Sequence, residues 1–384
     1  SLVKDGAGTQ VLSGGTTQVN YSGGTTVNAG VLEFAGTNSA ANNSAITLAG
    51  GTVRFSGGGT RSNTIAGTGN LEKTGANTLT LSGSNSYTGG TIITGGTLEM
   101  GNGGSVAGNI TNNATLSINR TDSSTLGNLV SGTGALNKSG SGTATMTASN
   151  SYSGATAVNG GVLRVASGGS IATSSTSVNN SGILVVDGTA GNVTVNNGGT
   201  LKGTGTVGAL EIASGGTLAV GNSPGQLNAG TTTWASGGAF EWEINSFPGT
   251  AGTNWDFLNI TGNLNITATS SVGSQFLIDV VSLLPGTDSF NPMVNYSFAI
   301  ATASAGITGF GAEKFTISTT RFLNGFDGVW SINTAAGPSG GSSQSLVLSY
   351  TASATAIPEP STCAFLTLAA AGLMLRRPRS APRT

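Results

Sequence analysis

Histidine is absent from the 384 residues, and cysteine occurs once, at Cys363. The first absence excludes a Ser-His-Asp triad and any histidine-ligated zinc site, because both need an imidazole. The second excludes an internal disulfide, so stability has to come from packing, as in an exported protein built by repetitive stacking. Charge is scarce as well. Fourteen basic and fifteen acidic side chains leave a net charge of −1, which gives nucleic acid no electrostatic footprint. Four of the basic residues, Arg376, Arg377, Arg379 and Arg383, lie in the last nine positions, so the preceding chain is mildly acidic. Proline occurs nine times, and the 64 glycines follow no Gly-X-Y period, which excludes a collagen helix. With 37% hydrophobic residues and only 8% charged ones, the chain also lacks the balance of a disordered protein. Glycine, serine, threonine and asparagine fill the remainder and favour turns and solvent-facing strand positions, so the composition is all-β.

Self-comparison finds a repeat with an offset of 65. Residues 67–105 lie over residues 132–170 with twenty of thirty-nine positions identical. Around this pair, Gly-Gly-Thr recurs at 14–16, 23–25, 50–52, 89–91, 95–97, 198–200 and 215–217, commonly ahead of a short alternating run. Stacked β rungs require such a grammar: a tight corner, where glycine accepts positive φ, and then a strand whose alternate side chains point inward. Leu98 and Met100 share one face of their rung, and Leu163 and Val165 are the equivalent core positions in the second copy.

These residues resemble the autotransporter-associated β-strand repeat, G-T-G-x-L-x-K-x-G-x-x-T-L-x-L followed by N-x-Y-x-G-x-T and G-G-T-L. Gly67, Thr68, Gly69, Leu71, Lys73, Gly75, Leu79, Leu81, Asn85, Tyr87, Gly89, Thr91 and Gly95 to Leu98 match it; the second copy departs at Ala144 and Val162, both strand-compatible. Residues 199–208 and 215–225 resemble the closing rungs of the same kind of passenger. The resemblance implies a right-handed parallel β-helix, a solenoid on a bacterial surface, over residues 1–230.

Near residue 230 the composition breaks. Five of the twenty-two aromatic residues precede it, while sixteen, including all four tryptophans, lie in 231–350. Strand-like runs at 239–244, 257–260, 275–281, 296–301 and 345–350 are separated by turn residues, and they predict a small antiparallel β-sandwich-like domain over 231–350 that caps the coil. A polar linker, 351–356, follows.

The segment 357–384 has three parts in order: Pro358-Glu359-Pro360, the apolar run 362–375, and Arg376, Arg377 and Arg379. Fifteen residues from Ser361 to Leu375 fall short of the roughly twenty that normally span a bilayer, but the flanking arginines fit the positive-inside bias. The order resembles the PEP-CTERM sorting signal, a tripeptide, a single hydrophobic helix and a basic terminus. That resemblance implies an exosortase substrate: export through the inner membrane of a Gram-negative-type bacterium, transient anchoring with the arginines as a basic stop, and processing near the tripeptide. The export signal itself is expected upstream of Ser1.

Four other patterns touch on chemistry. Gly203, Gly205 and Gly208 form G-x-G-x-x-G, but no helix follows, so they read as solenoid corners and not as a nucleotide loop. Glu241 and Glu243 alternate around Trp242 and share one strand face about 7 Å apart, a spacing diagnostic of neither glycosidase geometry. A lyase would need calcium-binding acids, and Glu33, Glu72, Glu99, Asp122, Asp187 and Glu211 are scattered. Trp242 and Trp255 are candidate carbohydrate contacts, with core packing as their ordinary alternative, and outward Ser, Thr and Asn ladders offer hydrogen bonds to glycans. No cofactor or metal is expected. The expected function is a non-enzymatic exported cell-surface or extracellular matrix protein, a spacer or adhesin-like surface. The alternative is a polysaccharide-binding or polysaccharide-active protein using 231–350.

Overall fold

Short alternating runs behind glycine corners bury one face each and leave the other polar, so they gain most by stacking on copies of themselves. In the computed structural model they do so as an all-β parallel solenoid of about eleven turns. The structure describes residues 1–13, 23–36, 44–221, 223–283 and 290–353. Its long faces are a twelve-stranded, a nine-stranded and a seven-stranded sheet, joined at the ends by sheets of four and five strands. Among the described residues the one helical element is the 3-10 turn Ala312–Lys314, and no helix is long and apolar enough to cross a membrane. The hydrophobic helix expected within 357–384 lies outside the described residues.

Register gives the length of each turn. Leu79 pairs with Leu98, Leu98 with Leu116 and Leu116 with Leu136, steps of 19, 18 and 20 residues. Each of these leucines is at most 1% exposed, and burying one contributes about 1.5–3 kcal/mol. The apolar column is therefore the main stabilising element.

The 65-residue repeat is not a whole number of turns. Leu71 pairs with Thr91, Thr91 with Ile110 and Ile110 with Val130, so three turns take 59 residues. The second copy overshoots by six, roughly the spacing of consecutive strands, and lands on the next face. Leu71 belongs to the seven-stranded sheet and Leu136 to the twelve-stranded one. Successive copies therefore rotate around the coil. At the start of each copy, Gly67 and Gly132 have φ of +108° and +103°, and a Cβ on either would lie 2.2 Å from a carbonyl oxygen of the turn below, that of Leu48 or Asn112. Only glycine fits there.

Residues 231–350 do not form the expected separate antiparallel sandwich. Thr232–Trp234, Ala239–Ile244 and Phe257–Ile260 pair in parallel with strands of the preceding turn, and Leu264–Ile266, Phe276–Ser282 and Phe315–Arg321 continue the coil. Among the described residues, antiparallel pairing between strands is confined to Tyr296–Ala303, Val329–Ala336 and Gln344–Thr351 at the end of the five-stranded sheet. The physical reason is that alternation and aromatic content mark a half-buried strand but carry no information on the direction of its partner.

Candidate functional site

The polar residues of the repeat turn inward. Leu71 and Lys73 share strand parity, so a buried Leu71 forces Lys73 into the interior. Lys73 and Lys138 are fully buried. The Lys73 Nζ donates to the carbonyls of Gly75 and of Gly95 in the next turn, the latter at 3.1 Å. Lys138 repeats the arrangement on Gly140 and Gly160, the latter at 3.0 Å. Lys4, 8% exposed, donates to Gly6 at 2.6 Å and Ala29 at 3.1 Å. Burial holds the Lys73 and Lys138 ammonium groups below the usual lysine pKa. Among the described residues the partners of all three ammonium groups are main-chain carbonyls, with no carboxylate among them. In the sequence Lys73 stands only as a member of the motif; its inward role follows from the burial of Leu71 and Lys73 on one face of their strand.

The Asn and Tyr of the motif are consumed in the same way. Asn85 Oδ1 accepts the Ile65 N–H at 2.9 Å and its Nδ2 donates to the Ser105 carbonyl at 2.7 Å, tying three successive turns. Asn150 does the same between Val130 and Ser170, at 2.9 and 3.0 Å. The Tyr87 hydroxyl lies 2.6 Å from Thr91 Oγ1, and the Tyr152 hydroxyl 2.7 Å from Thr156 Oγ1. Burial pushes both phenols up to about 12. These groups hold the coil together and are closed to solvent.

The tryptophans do not present stacking platforms. Trp242 is fully buried, its Nε1 donating to the Asp256 carbonyl at 2.9 Å, and Trp255 is 9% exposed with its Nε1 on the Ala299 carbonyl at 3.0 Å. Both rings pack on Phe298. Glu241 and Glu243 share the outward face of Ala239–Ile244, and alternation turns Trp242 inward between them. Glu241 is paired with Arg321 at 2.6 Å, and Arg321 also reaches Asp279 at 3.1 Å. Burial and then the neighbouring Glu241 raise the Glu243 pKa. Beneath them Asp256, fully buried, accepts the Gly225 and Glu243 N–H groups at 3.0 Å each; burial pushes its carboxyl up to about 9. Gly203, Gly205 and Gly208 sit where stacked turns touch, and a Cβ on Gly203 would lie 2.2 Å from the Val186 carbonyl oxygen.

The scattered acids are mostly neutralised pairwise: Glu33 and Glu72 flank Arg54, Asp122 meets Arg120, and Asp187 meets Arg164. Thr80 and Ser117 hydrogen-bond Glu99. Among the described residues no group of three or more His, Cys, Asp or Glu side chains stands close enough to hold a metal ion. Glu211 differs. It lies in a shallow groove of about 280 Å³ on the twelve-stranded sheet, with Asn192, Thr194, Thr231 and Thr233. Register aligns Thr194, Glu211 and Thr233 in one outward row across successive turns. Pro358, Glu359, Pro360, Arg376, Arg377 and Arg379 lie outside the described residues.

The passenger-associated-transport-repeat family matches at residues 2–34, 71–100 and 136–165. Each match includes one of the three carbonyl-bound lysines and one or more of the alternating rungs. Among curated proteins, the adhesin BmaC autotransporter of Brucella suis biovar 1 (strain 1330) is 35% identical over an alignment of 221 residues that covers 49% of this chain and 6% of that protein. The chain thus spans a small part of the length of that relative.

Proposed function

We propose that this protein is an exported, non-enzymatic surface protein whose right-handed solenoid serves as a spacer and adhesin-like structural surface. The observation that carries this reading is the fate of the polar signature: Lys73, Lys138, Asn85, Asn150 and both tyrosines are bonded inward, so the repeats maintain the coil and leave its outer faces as the working surface. The similarity of its repeats to an autotransporter adhesin supports the same placement. Protease shaving of intact host cells tests it: solenoid peptides released from wild-type cells are expected, together with reduced attachment of a deletion strain that the wild-type gene restores. Peptides recovered only after lysis would refute it.

Sorting belongs to the same proposal. Pro358-Glu359-Pro360 is the recognition element for an exosortase-type enzyme, 362–375 the transient inner-membrane anchor, and Arg376, Arg377 and Arg379 its cytoplasmic stop. The C-terminal mass of protein from the outer surface or the medium is expected to end near the tripeptide. An intact Thr384 in every fraction would remove the exosortase route.

A second reading, contact with an extracellular polysaccharide, is favoured by the groove around Glu211 and not by the buried Trp242 and Trp255. The hydroxyls of Thr194, Thr231 and Thr233, the Asn192 amide and the Glu211 carboxylate offer hydrogen bonds to a polyhydroxylated chain, and Val193, Ala209 and Leu210 offer apolar contact. Retention on a panel of insoluble neutral polysaccharides, lost in Thr194→Ala/Thr233→Ala, is the expected result; a wild-type protein retained by none of them ends this reading.

A further inference from the structure

An exposed strand edge is a row of unpaired N–H and C=O groups, and proteins usually blunt it by keeping it short, charging it or bulging it. At the C-terminal end of this solenoid three strands lie at sheet edges. Ile307–Thr308 has two residues. Phe315–Arg321 has seven, but its pairing is broken by a register shift and it ends in the charged Arg321. Val329–Ala336 has neither protection. It is the longest edge strand among the described residues, has eight residues without a charge or a proline, and keeps unbroken register with Gln344–Thr351 from Val329 opposite Thr351 to Ala336 opposite Gln344. Its first residue, Val329, is 67% exposed. The edges at the other end, Leu2–Lys4 and Thr9–Leu12, are short.

We propose that Val329–Ala336 is a dimerisation edge, paired antiparallel with the same strand of a second copy so that two solenoids join tail to tail. A two-fold axis perpendicular to the sheet keeps each face continuous, and residues directly opposite one another must share a face. Pairs of like parity alone satisfy this. Of the two central registers, the one centred on Ile332 sets Val329 opposite Ala335 of the second copy, Trp330 opposite Thr334, Ser331 opposite Asn333 and Ile332 opposite its own equivalent. The register centred on Asn333 leaves Val329 uncovered. The chosen register puts a large side chain beside a small one at Val329, a hydrogen-bonding pair at Ser331, and no charge against another. A self-complementary, uncharged edge selects its own copy over a charged peptide strand.

Ser331 and Asn333 lie on the outward face of the strand, Asn333 exposed and Ser331 partly so, which makes them suitable for testing without disturbing the core. Sedimentation of the full chain in mild detergent is expected to show a concentration-dependent dimer. Ser331→Lys with Asn333→Lys sets lysine opposite lysine twice and is expected to weaken dimerisation at least about tenfold, with an unchanged circular-dichroism melt. Ser331→Glu with Asn333→Lys sets opposite charges face to face in this register alone and is expected to restore the wild-type dimer. Three results overturn the proposal: a wild-type chain that stays monomeric at every concentration, a dimer indifferent to the double lysine variant, or a charge-complementary variant that fails to restore association.

Discussion

Replacing Lys138 by methionine isolates what the ammonium contributes. Methionine keeps an unbranched apolar stem of similar length in the column between Ile118 and Val158 and removes the donor to Gly140 and Gly160. Hydrogen bonds from a charged group contribute about 1.5–3 kcal/mol each. Losing two removes about 3–6 kcal/mol, and release from burying a charge moves the expected value to the lower end, about 3 kcal/mol. Alanine also deletes three buried methylenes at about 0.8 kcal/mol each, so Lys138→Ala is expected to cost about 2 kcal/mol more. In a solenoid each turn contacts mainly its neighbours, so the loss stays local and a global melt blurs it. Hydrogen exchange followed by mass spectrometry reads it directly. Amides over residues 130–165 are expected to lose about a hundredfold of protection in Lys138→Met, while those over 257–283 keep theirs. Unchanged protection over 130–165, or an equal loss in both regions, would refute the claim that this lysine clamps adjacent turns.

Asn150→Asp keeps the acceptor for Val130 N–H but loses the donor to Ser170; a local destabilisation of about 1–3 kcal/mol is expected, again from hydrogen exchange. Trp242→Ala is expected to cost about 3–5 kcal/mol of chemical stability, the value for emptying a core site, whereas a surface sugar platform would change stability by less than about 0.5 kcal/mol. Asp256 introduces a pH dependence. Its folded pKa of about 9 lies above the ordinary 3.8, so the folded chain holds a proton that the unfolded one has released. The stability it contributes is complete below about pH 4 and falls as pH rises toward 9. The urea midpoint is expected to drop between pH 5 and pH 9 in the wild type and to drop less in Asp256→Asn; equal drops would exclude Asp256 as the source.

Alternation in the sequence located the core well. Leu98, Met100, Leu163 and Val165 are buried on the inward face, and the parallel solenoid is what the resemblance to the β-strand repeat implied. The rotation of the repeat was hidden, because a 65-residue match reports similarity of strands and not the register of their partners; only the pairing of Leu71 through Thr91 and Ile110 to Val130 exposes the six-residue overshoot. The inward lysines were half legible. A charged residue two positions from a buried leucine contradicts the usual rule that lysine faces water, and the carbonyls that compensate it come from another turn, Gly95 for Lys73 and Gly160 for Lys138. No local pattern shows a partner 22 residues away.

The false boundary at 230 has a geometric origin that also accounts for the aromatic residues. Thr176 pairs with Val193 and Val193 with Leu210, turns of 17 residues. Beyond them Leu210 pairs with Thr232, Thr232 with Leu264 and Leu264 with Ile307, turns of 22, 32 and 43. Strands of the nine-stranded sheet lengthen in step, from three residues at Thr217–Ala219 to six at Ala239–Ile244 and seven at Phe276–Ser282. A longer strand widens the coil, and a wider interior has to be filled to the same density as a narrow one. Where turns are short, leucine, isoleucine and valine fill most of the interior, with Phe34, Phe55, Tyr87 and Tyr152 among them. Where they are long the space is taken by Trp234 stacked on Phe276 at 4.4 Å and by rings gathered on Phe298. The composition therefore shifts because the cross-section grows while the parallel stacking continues, and lengthened corners erase the period that made the first half readable. The antiparallel strands at the end follow from the same geometry: once the chain has to stop adding turns, folding back over Tyr296–Ala303 covers the widest rung with two further strands and leaves Val329–Ala336 as its outermost edge.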